Sequence, residues 1–418
     1  MDAIYLVAAG VASPWLLRKK RLGWDERLAR APSVPVKAAG KRRLLIHAVS
    51  VGETNLIRPL VDLLWEEFDL VIASTTDTGR ARAVELYSKK ATCVRFPLDL
   101  SGAVRRFLDA VAPDGVALVE LELWPNFMGE CAKRGIPVGV VNGRLSDRSY
   151  GRYRMAKPLI GKYFRQLAFV GAQDATYAER FVGVGADPSV VSVCGTMKWD
   201  AASVTDDVPG SAELATAMRI DRAKPLIVAG STEPMEHALL RDAKPAGVQL
   251  LCAPRKPEWF EDAARDLPGC TRRSRAKAGS SDEFFLLDTI GELRKAYALA
   301  DVVVVGRSFG ELYGSDPMDP AALGKCVVIG PNVDDFRTAV EILEKGGGIV
   351  RTTREGLRGE LARLLGNAEQ RRAIGERARA VVVREQGSAR KHATFVQTML
   401  SSGNRAHLSR SIQEGART

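Results

Sequence analysis

The sequence contains no CxxC pair and no cysteine framework. Its six cysteines, at positions 93, 131, 194, 252, 270 and 326, lie far apart, and four fall within or beside apolar runs. This excludes a disulfide-stapled domain and a thiolate zinc site, and reads as small reduced core residues of a cytosolic protein. No basic segment is interleaved with aromatics, so nucleic-acid binding has no motif to rest on. No short-period repeat occurs. Low complexity is confined to the polar tail 401–418, SSGNRAHLSRSIQEGART, which is expected to be loosely ordered. A long apolar run is also missing. The amino terminus, MDAIYLVAAGVASPWLLRKKR, offers about fifteen apolar residues interrupted by Asp2 and Pro14, short of the roughly 20 a spanning helix needs. Its basic cluster (Arg18, Lys19, Lys20, Arg21) follows the apolar stretch, whereas a signal peptide carries its charges in front. Residues 1–21 therefore read as an interfacial helix or single-pass anchor with the charges on the cytoplasmic side, or equally as a helix packed on the protein body.

What is present points to a chain of two domains. At 418 residues it exceeds what one core supports, and an apolar fraction of 46% excludes a largely disordered chain. Sixty-one Lys and Arg against fifty Asp and Glu leave +11, which favours an anionic partner: nucleic acid, an anionic membrane surface or a phosphorylated substrate. Apolar strand candidates RLLIHAV, DLVIAST, TCVRF, GVALVEL, PVGVVN, AFVGAQ and VSVCG alternate with helical patterns. After the polar segment AASVTDDVPGSAE (201–213) a second series begins: KPLIVAGS, VQLLCAP, DEFFLLD, DVVVVG, KCVVIG and GGIVR. Such alternation predicts an α/β fold of two doubly wound parallel sheets, with a first domain over 22–205 and a second over 206–400, whose last helix has the option of returning to the first.

In open α/β sheets, ligands sit beyond the carboxyl ends of the strands. In His47-Ala48-Val49-Ser50-Val51-Gly52-Glu53 a buried strand turns into a helix, ETNLIRPLVDLLWEE, with Gly52 expected to allow a tight turn and Glu53 in the first helical turn. A carboxylate there suits proton transfer, although complementing the helix dipole alone would also account for it. Other polar strand ends are Ser74 to Gly79, Glu120 to Asn126 and Asn142 to Ser146, then Gly230-Ser231-Thr232, Pro254 to Pro257, Asp288 to Glu292, Gly306-Arg307-Ser308 and Tyr313 to Pro320. Small residues and cations at helix starts suit phosphate and carboxylates suit sugar hydroxyls, which describes a nucleotide-sugar site.

The motifs HAVSVGE, ELELWPN, VVNGRLSDRS, AQDATYAERF, GTMKWD, AGSTEP, APRKPEWF, DTIGELRKAYALADVVVVGRS and GPNVDDFRTAVEIL occur in this order. In them the chain resembles, from about residue 17 to 400, the 3-deoxy-D-manno-octulosonic acid (Kdo) transferases of lipopolysaccharide synthesis, glycosyltransferase family 30. The resemblance implies a GT-B fold, in which two Rossmann-like doubly wound domains face each other across a cleft. It also implies CMP-Kdo as donor, a lipid A precursor (lipid IVA) as acceptor, inversion at the anomeric carbon, and no metal or further cofactor. The place of action would be the cytoplasmic face of the inner membrane, an anionic surface to which Arg18 to Arg21 would bind. Glu53 matches the family's catalytic base. Ser50, Gly52, Glu120, Glu122, Asn142 and Arg144 are expected at the acceptor, with Arg148, Arg152 and Arg154 as further phosphate contacts and Trp124 as packing. Gly230, Ser231, Arg255, Lys256, Thr289, Gly291, Glu292, Ser308, Asp316 and Asp319 are expected at the donor. Arg255 and Lys256 would meet the CMP phosphate or the Kdo carboxylate.

One stretch departs from the family. Where it carries Gly-Gly-His-Asn-x-x-Glu-Pro, this chain has Tyr313-Gly314-Ser315-Asp316-Pro317-Met318-Asp319-Pro320. A shorter carboxylate at Asp319 still accepts from ribose, but a charge at Asp316 beside a phosphate needs Arg255, Lys256 or Arg307 to compensate. A different GT-B nucleotide-sugar transferase or epimerase, or a catalytically silent binding relative, therefore remain as alternatives.

Overall fold

The computed structural model describes residues 23–30, 34–275 and 279–402. The anchor segment 1–21 and nearly all of the tail 401–418 lie outside the described residues. The chain divides into two compact units, one built from the chain up to Ala201 and again from Gln386 onward, the other from Ala202–Glu385.

The first unit is organised on seven parallel strands: β1 (Arg43–His47), β2 (Asp69–Ser74), β3 (Ala91–Arg95), β4 (Gly115–Val119), β5 (Val138–Gly143), β6 (Phe169–Ala172) and β7 (Val191–Val193). They lie in the order β3-β2-β1-β4-β5-β6-β7, so the winding direction reverses between β1 and β4. β1, β4 and β5 are buried at every position, as central strands covered on both faces must be. The helix expected over 53–67 is two helices, α1 (Val51–Leu56) and α2 (Arg58–Leu64), meeting at Ile57. Pro59 is the cause: it has no N–H to continue the ladder and is tolerated only in a first turn. Further along run α3 (Pro125–Lys133), α4 (Asp147–Met155) and α5 (Lys157–Arg165).

The last helix, Ser388–Ser402, belongs to this unit, so residues 386–400 move out of the second domain as bounded from sequence. Its Phe395, Val396, Met399 and Leu400 join the core formed by β1, β2 and α2, with Phe395 against Phe169 at 5.6 Å between ring centroids. Glycine makes room for it: a Cβ on Gly171 would fall 2.2 Å from the His392 ring, and one on Gly115 would fall 2.7 Å from Leu400.

The second unit repeats the plan with β8 (Leu226–Thr232), β9 (Gln249–Pro254), β10 (Thr271–Arg272), β11 (Phe284–Leu286), β12 (Val302–Val305), β13 (Cys326–Ile329) and β14 (Ile349–Arg351). All are parallel, in the order β10-β11-β9-β8-β12-β13-β14, with the reversal between β8 and β12. Its helices include α6 (Pro234–Ala243), α7 (Leu293–Leu299) and the short α8 (Met318–Ala322). The doubly wound expectation thus holds in both units; β10, two residues long, had no periodic signal. All six cysteines are free, and Cys131, Cys194, Cys252 and Cys326 are buried. Among the described residues no helix is long and apolar enough to cross a membrane.

Candidate active site

The reversal between β1 and β4 opens a crevice at their carboxyl ends, and the chain places its carboxylates there. Ser50 leaves β1 in an extended conformation and caps α1, its hydroxyl accepting from the Glu53 N–H at 3.4 Å. Glu53 folds back over this turn. One carboxylate oxygen accepts from the Val49 N–H at 2.8 Å and the other from the Ser50 hydroxyl at 3.0 Å. It therefore serves as a helix-terminal carboxylate and also faces a pocket. Burial raises its pKa and the charge of Glu120 adds to this, against the lowering hydrogen bonds from Val49 and Ser50.

Gly52 does not have the role expected of it. It lies exposed inside α1, its φ is not positive, and a Cβ there would meet only the Ser50 hydroxyl, at 3.7 Å. The tight approach is made by Gly79, where a Cβ would come within 2.9 Å of the Val49 carbonyl. His47, at the end of β1, stacks on Phe96 with ring centroids 3.7 Å apart, and burial drives its pKa down to about 3, so it is neutral.

From β4 come Glu120 and Glu122. Alternation along VALVELELW would put both on one face of a strand end, but the strand stops short of them: Glu120 turns into the left-handed region at φ 59° and β4 ends at Val119. Such a conformation in a residue with a Cβ is strained and collects at functional sites. Glu122 follows in the loop before α3, where the Trp124 indole N–H donates to it at 3.1 Å. Trp124 packs on the core as expected and holds this carboxylate as well. Burial, then the neighbouring Glu53 and Glu120 charges, push the Glu122 pKa up to about 7, against the lowering bond from Trp124.

Glu53, Glu120, Leu121, Glu122, Arg144, Ser146, Ser149 and Tyr153 line one pocket of about 410 Å³. Arg144 supplies its cation, its own pKa raised by the hydrogen bond to Tyr177 and by Glu120. Ser146, Ser149 and Tyr153 come from α4 and its cap; the sequence motif VVNGRLSDRS reaches Ser149 without singling it out and ends before Tyr153. Tyr153 is perturbed upward by burial and by Glu122. α4 has no buried residue and carries Arg148, Arg152 and Arg154; its last residue, Met155, is 85% exposed, and Leu159 in α5 is 53% exposed.

Asn142, expected at the acceptor, lies instead in the core of the first unit. It is fully buried at φ 53°, its side-chain oxygen accepts from the Met197 N–H at 3.0 Å, and its own N–H donates to His392 Nε2 at 3.2 Å. It ties the end of β5 to the last helix, a contact between segments 250 residues apart in sequence.

In the second unit the reversal lies between β8 and β12, where Ser231 and Arg307 both sit at φ 57°. Gly230 is needed for packing: a Cβ there would lie 2.0 Å from the Tyr297 hydroxyl. Burial raises the Tyr297 pKa, with Asp319 and Asp316 adding and Arg255 opposing, so these expected donor residues converge on one hydroxyl. Asp316 accepts from the Met318 N–H at 2.8 Å, at the first residue of α8, while Asp319 pairs with Arg294. Arg255 is exposed after β9 and its side chain makes no ion pair among the described residues. Lys256 lies over the Trp259 ring at 4.8 Å.

Glu292 is clamped by Arg273 at 3.0 and 3.1 Å and by the Thr289 hydroxyl at 2.7 Å. Burial opposes its ionisation, but these bonds keep its pKa below the usual value. Gly291 beside it needs its freedom, at φ 91°. Ser308 is not available to a ligand, because it is fully buried, donates to the Val305 carbonyl at 2.6 Å and accepts from Gly330 N–H at 2.9 Å, stitching β12 to β13.

Glu236, missed in the sequence, organises this end. Its carboxylate, fully buried, accepts from the backbone N–H groups of Glu233 (3.0 Å), Arg307 (2.8 Å), Ser308 (3.0 Å) and Phe309 (3.1 Å). The only available signal was a carboxylate one turn inside a helix after a strand, which is also what an ordinary surface glutamate looks like.

Residues 22–201 match the family described as 3-deoxy-D-manno-octulosonic-acid transferase (kdotransferase). A 3-deoxy-D-manno-octulosonic acid transferase of Bordetella pertussis is 31% identical over 87% of this chain and 87% of its own length, and one of Haemophilus influenzae is 28% identical over 83% and 85%. Among solved structures, a glycosyltransferase from Rickettsia africae superposes with a TM-score of 0.59 at 12% identity, covering 87% of this chain and 100% of that one. A UDP-N-acetylglucosamine 2-epimerase described from Listeria monocytogenes gives 0.58 at 16%, over 88% and 98%. At these identities the two structures establish the fold, two Rossmann-like units of GT-B type.

Proposed function

This chain belongs to the 3-deoxy-D-manno-octulosonic acid transferase family and is a glycosyltransferase, and we propose that it transfers Kdo from CMP-Kdo to a lipid A precursor with inversion, using Glu53 as general base. The observation that carries the reading is the pocket at the β1/β4 reversal, where Glu53 is held by two donors beside Glu120, Glu122 and Arg144. An inverting transfer is one displacement through an oxocarbenium-like state. It requires a base on the acceptor side and no covalent intermediate. Glu53 takes the proton of the attacking hydroxyl as the new glycosidic bond forms and the bond to the CMP phosphate breaks. Its raised pKa suits the task, since a base near the operating pH accepts a proton more readily. Arg144 and the arginines of α4 suit an acceptor bearing phosphates.

On the donor side, Arg255 after β9 supplies a guanidinium able to grip a phosphate or the Kdo carboxylate by two bonds. Of the cations that could offset Asp316, Arg255 is the one that shares the surroundings of the Tyr297 hydroxyl with it, and we assign it that role. Because Asp319 already pairs with Arg294, a nucleotide sugar other than CMP-Kdo is the second reading. The basic, partly apolar surface of α4 and α5, with Met155 and Leu159 outermost, suits association with an anionic membrane.

The test is incubation with CMP-Kdo and a tetraacylated lipid A precursor, reading the acceptor mass for increments of one sugar and the anomeric configuration by NMR. Glu53→Gln should bind CMP as the parent does and lose about 10²–10⁴ in turnover. Near-parental turnover would remove Glu53 as the base, and preference for a UDP-sugar would remove CMP-Kdo as the donor.

A further inference from the structure

The first-unit pocket holds three carboxylates and one guanidinium, and the three are not equally provided for. Glu53 has a backbone N–H on one oxygen and a hydroxyl on the other. Glu120 has Arg144 near it. Glu122 has one neutral donor, the Trp124 indole, on one oxygen. Three ionised carboxylates against a single cation in a half-buried pocket repel one another, and the charge is given up where it is least supported.

We propose that Glu122 holds the exchangeable proton of this pocket, staying neutral so that Glu53 beside it remains ionised, and donating its O–H to an oxygen of the substrate. The proposal rests on the reading of Glu53 as the base and adds a second residue that contacts the substrate. Its surroundings agree: Glu53 on α1, Glu120 before it in the same loop, Tyr153 on α4 and the Trp124 N–H are the titratable and polar groups that face it, and Arg144 lies towards Glu120. Burial and the two neighbouring carboxylates bring its titration to about 7, within reach of the working range. The sign follows. A raised carboxyl pKa means that the proton is kept as pH rises towards 7 and lost above it. Once it is lost, the pocket carries a further negative charge against an anionic donor and has exchanged a hydrogen-bond donor for an acceptor.

The experiment is the pH profile of kcat/KM, from about pH 5 to 9, of the full chain with CMP-Kdo and lipid A precursor. The parent should show a rising limb from Glu53 and a falling limb near neutrality. Glu122→Gln, a neutral donor of the same shape, should lose far less rate at the optimum than the loss of about 10²–10⁴ expected of Glu53→Gln. It should also lose the falling limb and leave the rising limb where it is, because Glu122 is already neutral where Glu53 titrates. The phosphates of the acceptor titrate identically for both proteins, so the difference between profiles belongs to the enzyme. Trp124→Phe removes the donor that favours the ionised form and should move the falling limb to higher pH; a purely structural role would not shift it in that direction. A falling limb unchanged in Glu122→Gln, or a loss of rate as deep as in Glu53→Gln, overturns the proposal while leaving Glu53 as base. An active Glu53→Gln instead overturns the reading on which it stands.

Discussion

Removing the Glu236 carboxylate perturbs the second unit without touching the pocket around Glu53. Its two oxygens accept four backbone N–H groups, those of Arg307, Ser308 and Phe309 after β12 and of Glu233 at the start of α6. The side chain is fully buried, so no water stands ready to replace it. In Glu236→Gln the shape is retained. The amide oxygen can serve the pair Ser308 and Phe309 at 3.0 and 3.1 Å, while the amide NH₂ faces the Arg307 and Glu233 donors at 2.8 and 3.0 Å. Two buried donors are left without an acceptor, at about 1–3 kcal/mol each and less than additive, so the loss is about 2–4 kcal/mol. Glu236→Ala orphans all four and should lose about 4–6 kcal/mol, a large share of the roughly 5–15 kcal/mol that holds a domain together.

Urea denaturation gives the global figure, and amide exchange of a peptide spanning 306–310 gives the local one. A loss of about 3 kcal/mol corresponds to exchange faster by about 10²-fold, since each 1.4 kcal/mol is a factor of ten. Because Arg307 and Ser231 stand at the same strand-end reversal, CMP affinity should fall while the acceptor pocket is unchanged. If Glu236→Gln showed parental exchange at 307–309 and a stability within about 0.5 kcal/mol, the hydrogen bonds would not be holding that loop.

Two further outcomes test the placement of particular residues. Asn142→Ala orphans the Met197 N–H and puts a Cβ residue without a polar side chain at φ 53°, so it should cost about 2–4 kcal/mol, and Asn142→Gly about 1 kcal/mol less because glycine carries no strain there; a stable Asn142→Ala protein with weakened acceptor binding would return Asn142 to the site. Replacing Arg148, Arg152 and Arg154 with alanine should reduce partitioning to vesicles of anionic lipid by about 10²-fold, at about 1 kcal/mol per charge, and leave zwitterionic vesicles unaffected; equal binding to anionic vesicles would rule out α4 as the membrane-facing surface.

How far the site was legible depends on whether a residue's environment is local. Glu53 was readable because its cap, Ser50, and its backbone donor, Val49, lie within four positions of it. The place of Arg255 in the fold was readable for a similar reason: it follows an apolar strand directly. Glu120 and Glu122 were assigned correctly to a strand end but for a geometric reason that did not hold, since strand alternation stops where Glu120 enters the left-handed region. Asn142, Ser308, Gly52 and Gly230 look like ligand-facing strand-end residues in one dimension. The surroundings of Asn142, Ser308 and Gly230 come from His392 and Met197, from Gly330 and from Tyr297, partners that no local pattern identifies, while Gly52 simply lies exposed within α1.

By itself the sequence determined the class of the fold and the chemistry at the strand ends. Period and composition are local properties, and continuous apolar runs alternating with helical patterns specify parallel sheets covered on both faces. Only the tertiary structure decided which strand ends stand together. The order of strands places β1 beside β4 and β8 beside β12, and this brings Glu53 to Glu120 and Glu122, and Glu236 to Arg307. It also decided that the last helix returns to the first unit through His392 and Leu400, because a helix's apolar face does not state which sheet will cover it. Proximity then sets protonation: burial among two other carboxylates makes the Glu122 pKa about 7, and its position in the chain carries no trace of that.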